Sequence, residues 1–210
     1  MPMLVVPGRS SAVSGFRLTM LTEKMPFDSG AVSGIRAHYA HFIDLAPEYA
    51  AKHAQSLLDA ALRNHTPQVT HAITCETPDD VWAVVATLLR APGETGAPRA
   101  PIMLVDDNDA SGASTDDGDG ALQPNEREIW VLPRRGTISP WSSKATDIFG
   151  LCGLGKDIVQ RVERGTVYRI TFRPDFAIPD VELSKDKQII NAGSDRMTEA
   201  IYEACPPAAD

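Results

Sequence analysis

The stretch Arg134-Arg135-Gly136-Thr137, followed by Ser139-Pro140, sets two guanidiniums beside a helix start. Ser139 has the type of an N-cap and Pro140 suits the first helical position, with Ser142 as an alternative start. The unpaired N–H groups of such a helix end, next to Arg134, Arg135 and Gly136, form a candidate site for phosphate or carboxylate. A solvated turn before an ordinarily capped helix is the commoner outcome for the same residue types. Trp141 stands among Pro, Ser and Lys rather than in an apolar stripe. It suits a contact plug for a neighbouring domain as well as a core position with its N–H bonded. Lys144 and Asp147 lie three apart, a spacing open to an acid/base pair and far more often seen in surface ion pairs. Cys152 reads as a small core residue.

Other constellations carry less. His38 and His41 are three apart on a predicted strand and so face opposite sides, the wrong arrangement for two ligands of one metal. Asp107-Asn108-Asp109-Ala110-Ser111-Gly112 opens like a calcium loop, but Gly118 stands where a bidentate Glu is needed and Ser114 where an apolar residue is usual. A solvated acidic segment accounts for it better. There is no P-loop, and no Gly-x-Gly-x-x-Gly follows a strand. Cys75, Cys152 and Cys205 are far apart and odd in number, which argues against a disulfide framework or a zinc site and fits a reducing compartment.

The elements that must position these residues follow from periodicity. Leu4-Val5-Val6 reads as a strand stopped by Pro7-Gly8. Ser10 or Ser11 offers a cap for a helix carrying Val13, Phe16, Met20 and Leu21 up to Pro26. Residues 26–34 read as a loop. Ile35 to Ile43 alternates as a strand, with Ile35, Ala37, Tyr39, His41 and Ile43 on one side. Pro47-Glu48 opens a helix with Ala50, Ala54, Leu57, Leu58, Ala61 and Leu62 on its apolar face. Thr77 caps another, with Asp80 in the capping-box position and a stripe of Val81, Val84, Val85, Leu88 and Leu89. Residues 91–128 turn to Pro, Gly, Ser, Ala and Asp and read as a flexible acidic insert, with Ile102-Met103-Leu104-Val105 as its anchor. Ile129-Trp130-Val131-Leu132 is a strand stopped by Pro133. The helix behind Ser139 shows Ala145, Ile148, Phe149 and Cys152 on one face and ends at Gly153 and Gly155. Ile158–Glu163 and Thr166–Phe172 read as two strands turned at Arg164-Gly165. Ser194 caps a last helix through Met197, Ile201 and Ala204.

The halves rhyme. Val5-Val6-Pro7-Gly8-Arg9 matches Val131-Leu132-Pro133-Arg134-Arg135, and a small-residue loop, an aromatic, a helix, a strand and a later helix follow in both. The expected fold class is α+β, built as two pseudo-symmetric strand–helix–strand–helix repeats, 1–90 and 129–210, around the 91–128 insert. The chain has 210 residues, 43% of them hydrophobic, enough for one ordinary domain or two small halves sharing a core. With 20 Lys plus Arg against 28 Asp plus Glu its net charge is -8, which repels a phosphate backbone and disfavours nucleic acid as partner. No apolar run approaches the roughly 20 residues of a membrane span, and no leader pattern opens the chain. A cytoplasmic protein is expected.

Beyond this, the run from Val131 through Arg134-Arg135-Gly136-Thr137-Ile138-Ser139-Pro140-Trp141-Ser142-Ser143-Lys144-Ala145-Thr146-Asp147 to Ile148 resembles the N-terminal signature of the large, single-chain phosphoribosylformylglycinamidine synthases. Cys152-Gly153-Leu154, Val162-Glu163-Arg164-Gly165 and Asp195-Arg196-Met197 resemble that family in order and spacing, as do the Pro7-Gly8 start and Tyr39-Ala40-His41-Phe42. The resemblance covers nearly the whole chain outside the insert. It implies an N-terminal segment like a fused dimer of the small subunit of split enzymes. The full enzyme would convert formylglycinamide ribonucleotide to formylglycinamidine ribonucleotide with ATP, magnesium and glutamine. Synthetase and glutaminase domains would follow this segment and be its partners. The segment itself would bind no cofactor, hold no catalytic residue and be inactive alone. Its implied role is to bridge those domains and shape the ammonia route, with Arg135, Thr137, Ser139, Trp141, Ser142, Ser143, Lys144, Thr146 and Asp147 at interdomain or channel contacts. A stand-alone anion- or nucleotide-binding module using Arg134, Arg135 and the helix start is the alternative. Three features depart from the family: Phe149-Gly150 after Asp147-Ile148, the long acidic 91–128 insert, and the end of the chain at Asp210.

Overall fold

In the computed structural model, residues 2–25, 30–64, 67, 69, 74–90, 102–105, 122–134, 136–176, 178, 183, 194–195 and 197–206 are described. The elements are β1 (Met3–Ser11), α1 (Gly15–Lys24), β2 (Val32–Leu45), α2 (Pro47–Arg63), α3 (Pro78–Leu89), β3 (Met103–Val105), β4 (Glu126–Pro133), α4 (Pro140–Leu151), β5 (Val159–Phe172) and β6 (Glu199–Tyr202). The six strands form one sheet in the order β3-β1-β2-β5-β4-β6, every pair antiparallel. The α+β class is therefore as expected from the sequence.

Its spine is the β2–β5 ladder, which runs from Val32↔Phe172 to Leu45↔Val159. Directly opposed residues share a face in such a ladder. One face carries Ile35, Ala37, Tyr39, His41 and Ile43 with Ile170, Tyr168, Thr166, Arg164 and Val162. Helices cover it at both ends. Leu21 of α1 packs in a cluster with Ile35, Ala37, Ile129, Tyr168 and Ile170. At the far end α2, α3 and α4 bury Leu57, Val81, Val85 and Phe149 against Leu4, Val6, Ile43 and Val162. The second face has its own cluster of Met3, Val5, Ala40, Phe42, Val105, Trp130, Leu132 and Val167, which has no helical member.

Several elements differ from the expectation. β1 runs through Pro7-Gly8 to Ser11 instead of stopping there. Among the described residues its ladder with β3 covers only Met3–Val5, and there Pro7 lies on an edge, the place a strand tolerates proline. Ser14 caps α1, accepting from the Arg17 N–H, and Leu21 is its buried residue while Phe16 is 78% exposed. Val159–Phe172 is one strand, not two. Gly165 serves a close approach rather than a turn: a Cβ there would stand 2.9 Å from the Val131 carbonyl oxygen and from Leu132 Cγ. Residues 199–202, expected as helix, form β6, so the later helix of the first half has no counterpart among the described residues of the second. Within 91–128, β3 forms on the expected anchor and β4 already begins at Glu126. The Asp107–Gly112 motif, its continuation to Gly118 and Arg135 lie outside the described residues.

The caps were foreseen more closely. Thr77 and Asp80 form a capping box, the Thr77 hydroxyl accepting from the Asp80 N–H at 3.2 Å and the Asp80 carboxylate from the Thr77 N–H at 3.1 Å. α2 buries Ala50, Ala54, Leu57, Ala60 and Ala61, close to its expected face. On the same helix the Tyr49 hydroxyl is buried with no hydrogen-bond partner among the described residues, and burial pushes its pKa up to about 12 from an ordinary 10.0. A folded-state value above the unfolded one contributes stability that is complete below the unfolded pKa and lost as pH rises through the folded one. Tyr49→Phe should therefore leave stability at neutral pH within about 1 kcal/mol or raise it, since no bond is removed. It should also move alkaline unfolding to higher pH, read by circular dichroism across pH 9 to 12.

Candidate functional site

Pairing of β4 with β5 begins at Val131↔Thr166, so among the described residues β5 has no strand partner on that side from Val159 to Gly165. The bare edge would leave N–H and C=O groups unpaired in the interior, and α4 supplies the missing partners. The Ser142 hydroxyl donates to the Val162 carbonyl at 2.6 Å, and Thr146 Oγ1 accepts from the Val162 N–H at 3.0 Å. The Glu163 carboxylate accepts from the Arg164 N–H at 2.9 Å. Ser142 is therefore 1% exposed in spite of its polarity.

Ser139 caps α4 with Pro140 behind it, as the residue types suggest, and its side chain accepts from the Ser142 N–H at 3.0 Å. The anion at this helix start is the protein's own. Glu163 accepts from the Ser139 hydroxyl at 2.7 Å and from its N–H at 3.4 Å, and Arg161 meets the same carboxylate at 2.8 Å. Arg161 also donates to the Thr137 carbonyl and to the Ser142 hydroxyl oxygen. Arg134 turns elsewhere, donating to the Glu199 carbonyl at the start of β6. Gly136, at φ 79°, makes the turn between them. Arg134 and the helix start are thus not brought onto one anion.

α4 ends where the glycines suggested. The Leu154 N–H reaches the Phe149 carbonyl and the Gly153 N–H that of Gly150, with Gly153 at φ 91°. The buried face is Ser142, Ala145 and Phe149; Ile148 and Cys152, expected on it, are exposed. Ser143, Lys144 and Asp147 are exposed as well. Lys144 and Asp147 form no ion pair among those of the described residues.

Trp141 is neither fully exposed nor plain core. Its ring lies 4.7 Å from the Arg164 guanidinium, which also rests 4.2 Å from the Tyr39 ring, and His41 is 5.8 Å from Trp141. Alternation had set Tyr39 and His41 on one side, but Arg164, though part of a segment that resembles the family, was not placed with them: reading Arg164-Gly165 as a turn removed it from the sheet face. His38 and His41 face opposite sides, as their spacing requires, and no group of three metal-ligating side chains occurs among the described residues.

Comparison with known proteins agrees with the signature. Residues 104–210 match the family model for the formylglycinamide ribonucleotide amidotransferase N-terminal region. Phosphoribosylformylglycinamidine synthase of Schizosaccharomyces pombe is 47% identical over 78 residues, 37% of this chain and 5% of the relative. That of Saccharomyces cerevisiae is 49% identical over 87 residues, 41% of this chain and 6% of the relative. The matches thus span about a twentieth of the length of these enzymes. No helix among the described residues is long and apolar enough to cross a membrane. With half of its length on the family model, the chain belongs to the formylglycinamide ribonucleotide amidotransferase N-terminal family.

Proposed function

We propose that this chain is the N-terminal scaffold of a cytoplasmic phosphoribosylformylglycinamidine synthase, the ATP- and glutamine-dependent ligase of purine synthesis. In this reading it docks synthetase and glutaminase domains carried elsewhere in the enzyme and helps shape the ammonia route between them. ATP and magnesium act in the synthetase part, and this segment supplies no catalytic group. The succession of β1-α1-β2 and β4-α4-β5, with β2 and β5 central and β3 and β6 at the edges, supports two related halves.

The observation that carries the proposal is the two-sidedness of α4. Its inner polar residues are committed to β5, so the signature builds a rigid frame. Its outer row stays bare: Lys144 and Asp147 are exposed, and Ile148 and Leu151 are 49% and 87% exposed. Ile138, in the loop before the helix, is 65% exposed. Exposed apolar side chains grouped with charges on one element suit an interface. Leu151→Asp should lower the stability of the chain by no more than about 1 kcal/mol, the cost of an acid on an exposed last helical turn, read from its thermal unfolding. Combined with the remaining domains, the Leu151→Asp chain should restore far less glutamine-dependent turnover than the unmutated chain, while ammonia-dependent turnover falls less. Equal rescue by both chains, or no rescue by either, would sink the scaffold reading.

A further inference from the structure

We propose that Arg164 is the anion-binding group of a small-ligand site in the middle of the helical sheet face, and that it takes an oxyanion presenting an edge of two oxygens, a phosphate or a carboxylate. The face is apolar at both ends, where α1 covers one cluster and α2, α3 and α4 the other. Between them runs a polar band of Tyr39, His41, Arg164 and Thr166, carried by opposed positions of the central ladder.

Two observations point to a ligand. Arg164 rests against the Tyr39 and Trp141 rings at 4.2 and 4.7 Å. Ring contacts fix a guanidinium but satisfy none of its five N–H donors, which lie in its plane and match a carboxylate or phosphate edge. Arg36, Arg63, Arg161, Arg169 and Arg173 each meet a carboxylate and Arg90, Arg127 and Arg134 meet backbone carbonyls, whereas among the described residues the guanidinium of Arg164, like that of Arg17, meets neither. The neighbouring acid, Glu163, is taken up by Ser139, Arg161 and the Arg164 backbone.

Gly8 of β1 packs closely on the same band: a Cβ there would come within 3.2 Å of the Tyr39 carbonyl oxygen and 3.7 Å of His41 Cε1. His41 itself is buried, and its Nδ1 lies 3.3 Å from the Val6 carbonyl oxygen, which holds the ring in place. The result is a planar, half-buried donor between fixed aromatic walls. A guanidinium so placed gains more from a charge-assisted bidentate bond than one in open water.

The test is tryptophan fluorescence of the whole 210-residue chain, titrated with inorganic phosphate and separately with acetate, ionic strength being held constant with chloride. Trp82 and Trp130 are 2% and 7% exposed, so Trp141 is the responsive ring. A saturable change with phosphate alone assigns the site to phosphates, with acetate alone to carboxylates; either supports the proposal. Arg164→Lys should weaken that response on the order of tenfold, the loss of one charge-assisted bond, while Arg134→Gln leaves it unchanged. No saturable response to either anion, or an equal response from Arg164→Lys, overturns it. Should Arg164→Lys fail to fold, the side-chain Nε–H resonance of Arg164 in the unmutated chain decides: it must shift with the anion titration, and a stationary resonance overturns the proposal.

Discussion

Gly165→Ala should lower the melting temperature of this chain by on the order of 5–10 °C, for about 2–3 kcal/mol of lost stability. The methyl group would meet backbone on one side and side chains on the others: the Val131 carbonyl oxygen and Leu132 Cγ at 2.9 Å, and Phe42 Cε2 at 3.2 Å. A carbonyl within a paired strand cannot rotate away, so relief requires β4 to move off β5. That would disturb the first pair of their ladder, Val131↔Thr166. Gly34→Ala provides the contrast. Gly34 also lies in a strand, but nothing stands within 4 Å of its added methyl. It should be neutral or stabilising by a few tenths of a kcal/mol, since alanine has less backbone freedom to lose. Thermal unfolding of both variants checks the comparison, and equal melting temperatures would contradict the close-approach role of Gly165.

Glu163→Ala should cost about 2–3 kcal/mol, the range for losing hydrogen bonds to a charged group. The carboxylate, 8% exposed, accepts from the Ser139 hydroxyl and N–H, the Arg164 N–H and Arg161. Its removal strands the Arg164 N–H on an unpaired edge and takes the negative partner from the start of α4. Glu163→Gln keeps an acceptor of the same shape without the charge and should recover part of the loss. Urea unfolding measures all three chains. If the alanine variant matches the parent, the carboxylate is not what joins α4 to β5.

The parts of the fold that could be read from the sequence are those governed by local rules. Thr77 with Asp80, and Ser139 with Pro140, are satisfied within one turn, so residue type and spacing suffice. The apolar face of α2 follows from period alone. What could not be read depends on distant chain. A glycine that makes a turn and a glycine that admits a neighbouring strand look alike, and Gly165 is the second kind because of Val131 and Leu132. Ser142 and Thr146 look like surface residues on a helix; they are turned inward because β4 leaves β5 and its edge must be bonded. Pro7 stops a central strand but not an edge, and only the extent of β3 makes that stretch an edge. The role of Arg164 escaped notice for the same reason: it comes from Tyr39 and Trp141, on β2 and α4. The family signature marked the right stretch of chain without revealing which of its residues face inward.

The β2–β5 ladder also constrains how the molecule is made. Ser33 and Thr171 meet across it at a separation of 138 residues. A ribosome moving at about 5–20 residues per second leaves β2 without its main partner for several seconds. During that time β1 and β2 can pair, but the flank of β2 that will receive β5 stays open to other chains. Closing so long a loop also slows the final step, as for other folds rich in distant contacts. A nascent chain stalled before β5 would therefore be the species most prone to aggregate and most dependent on chaperones.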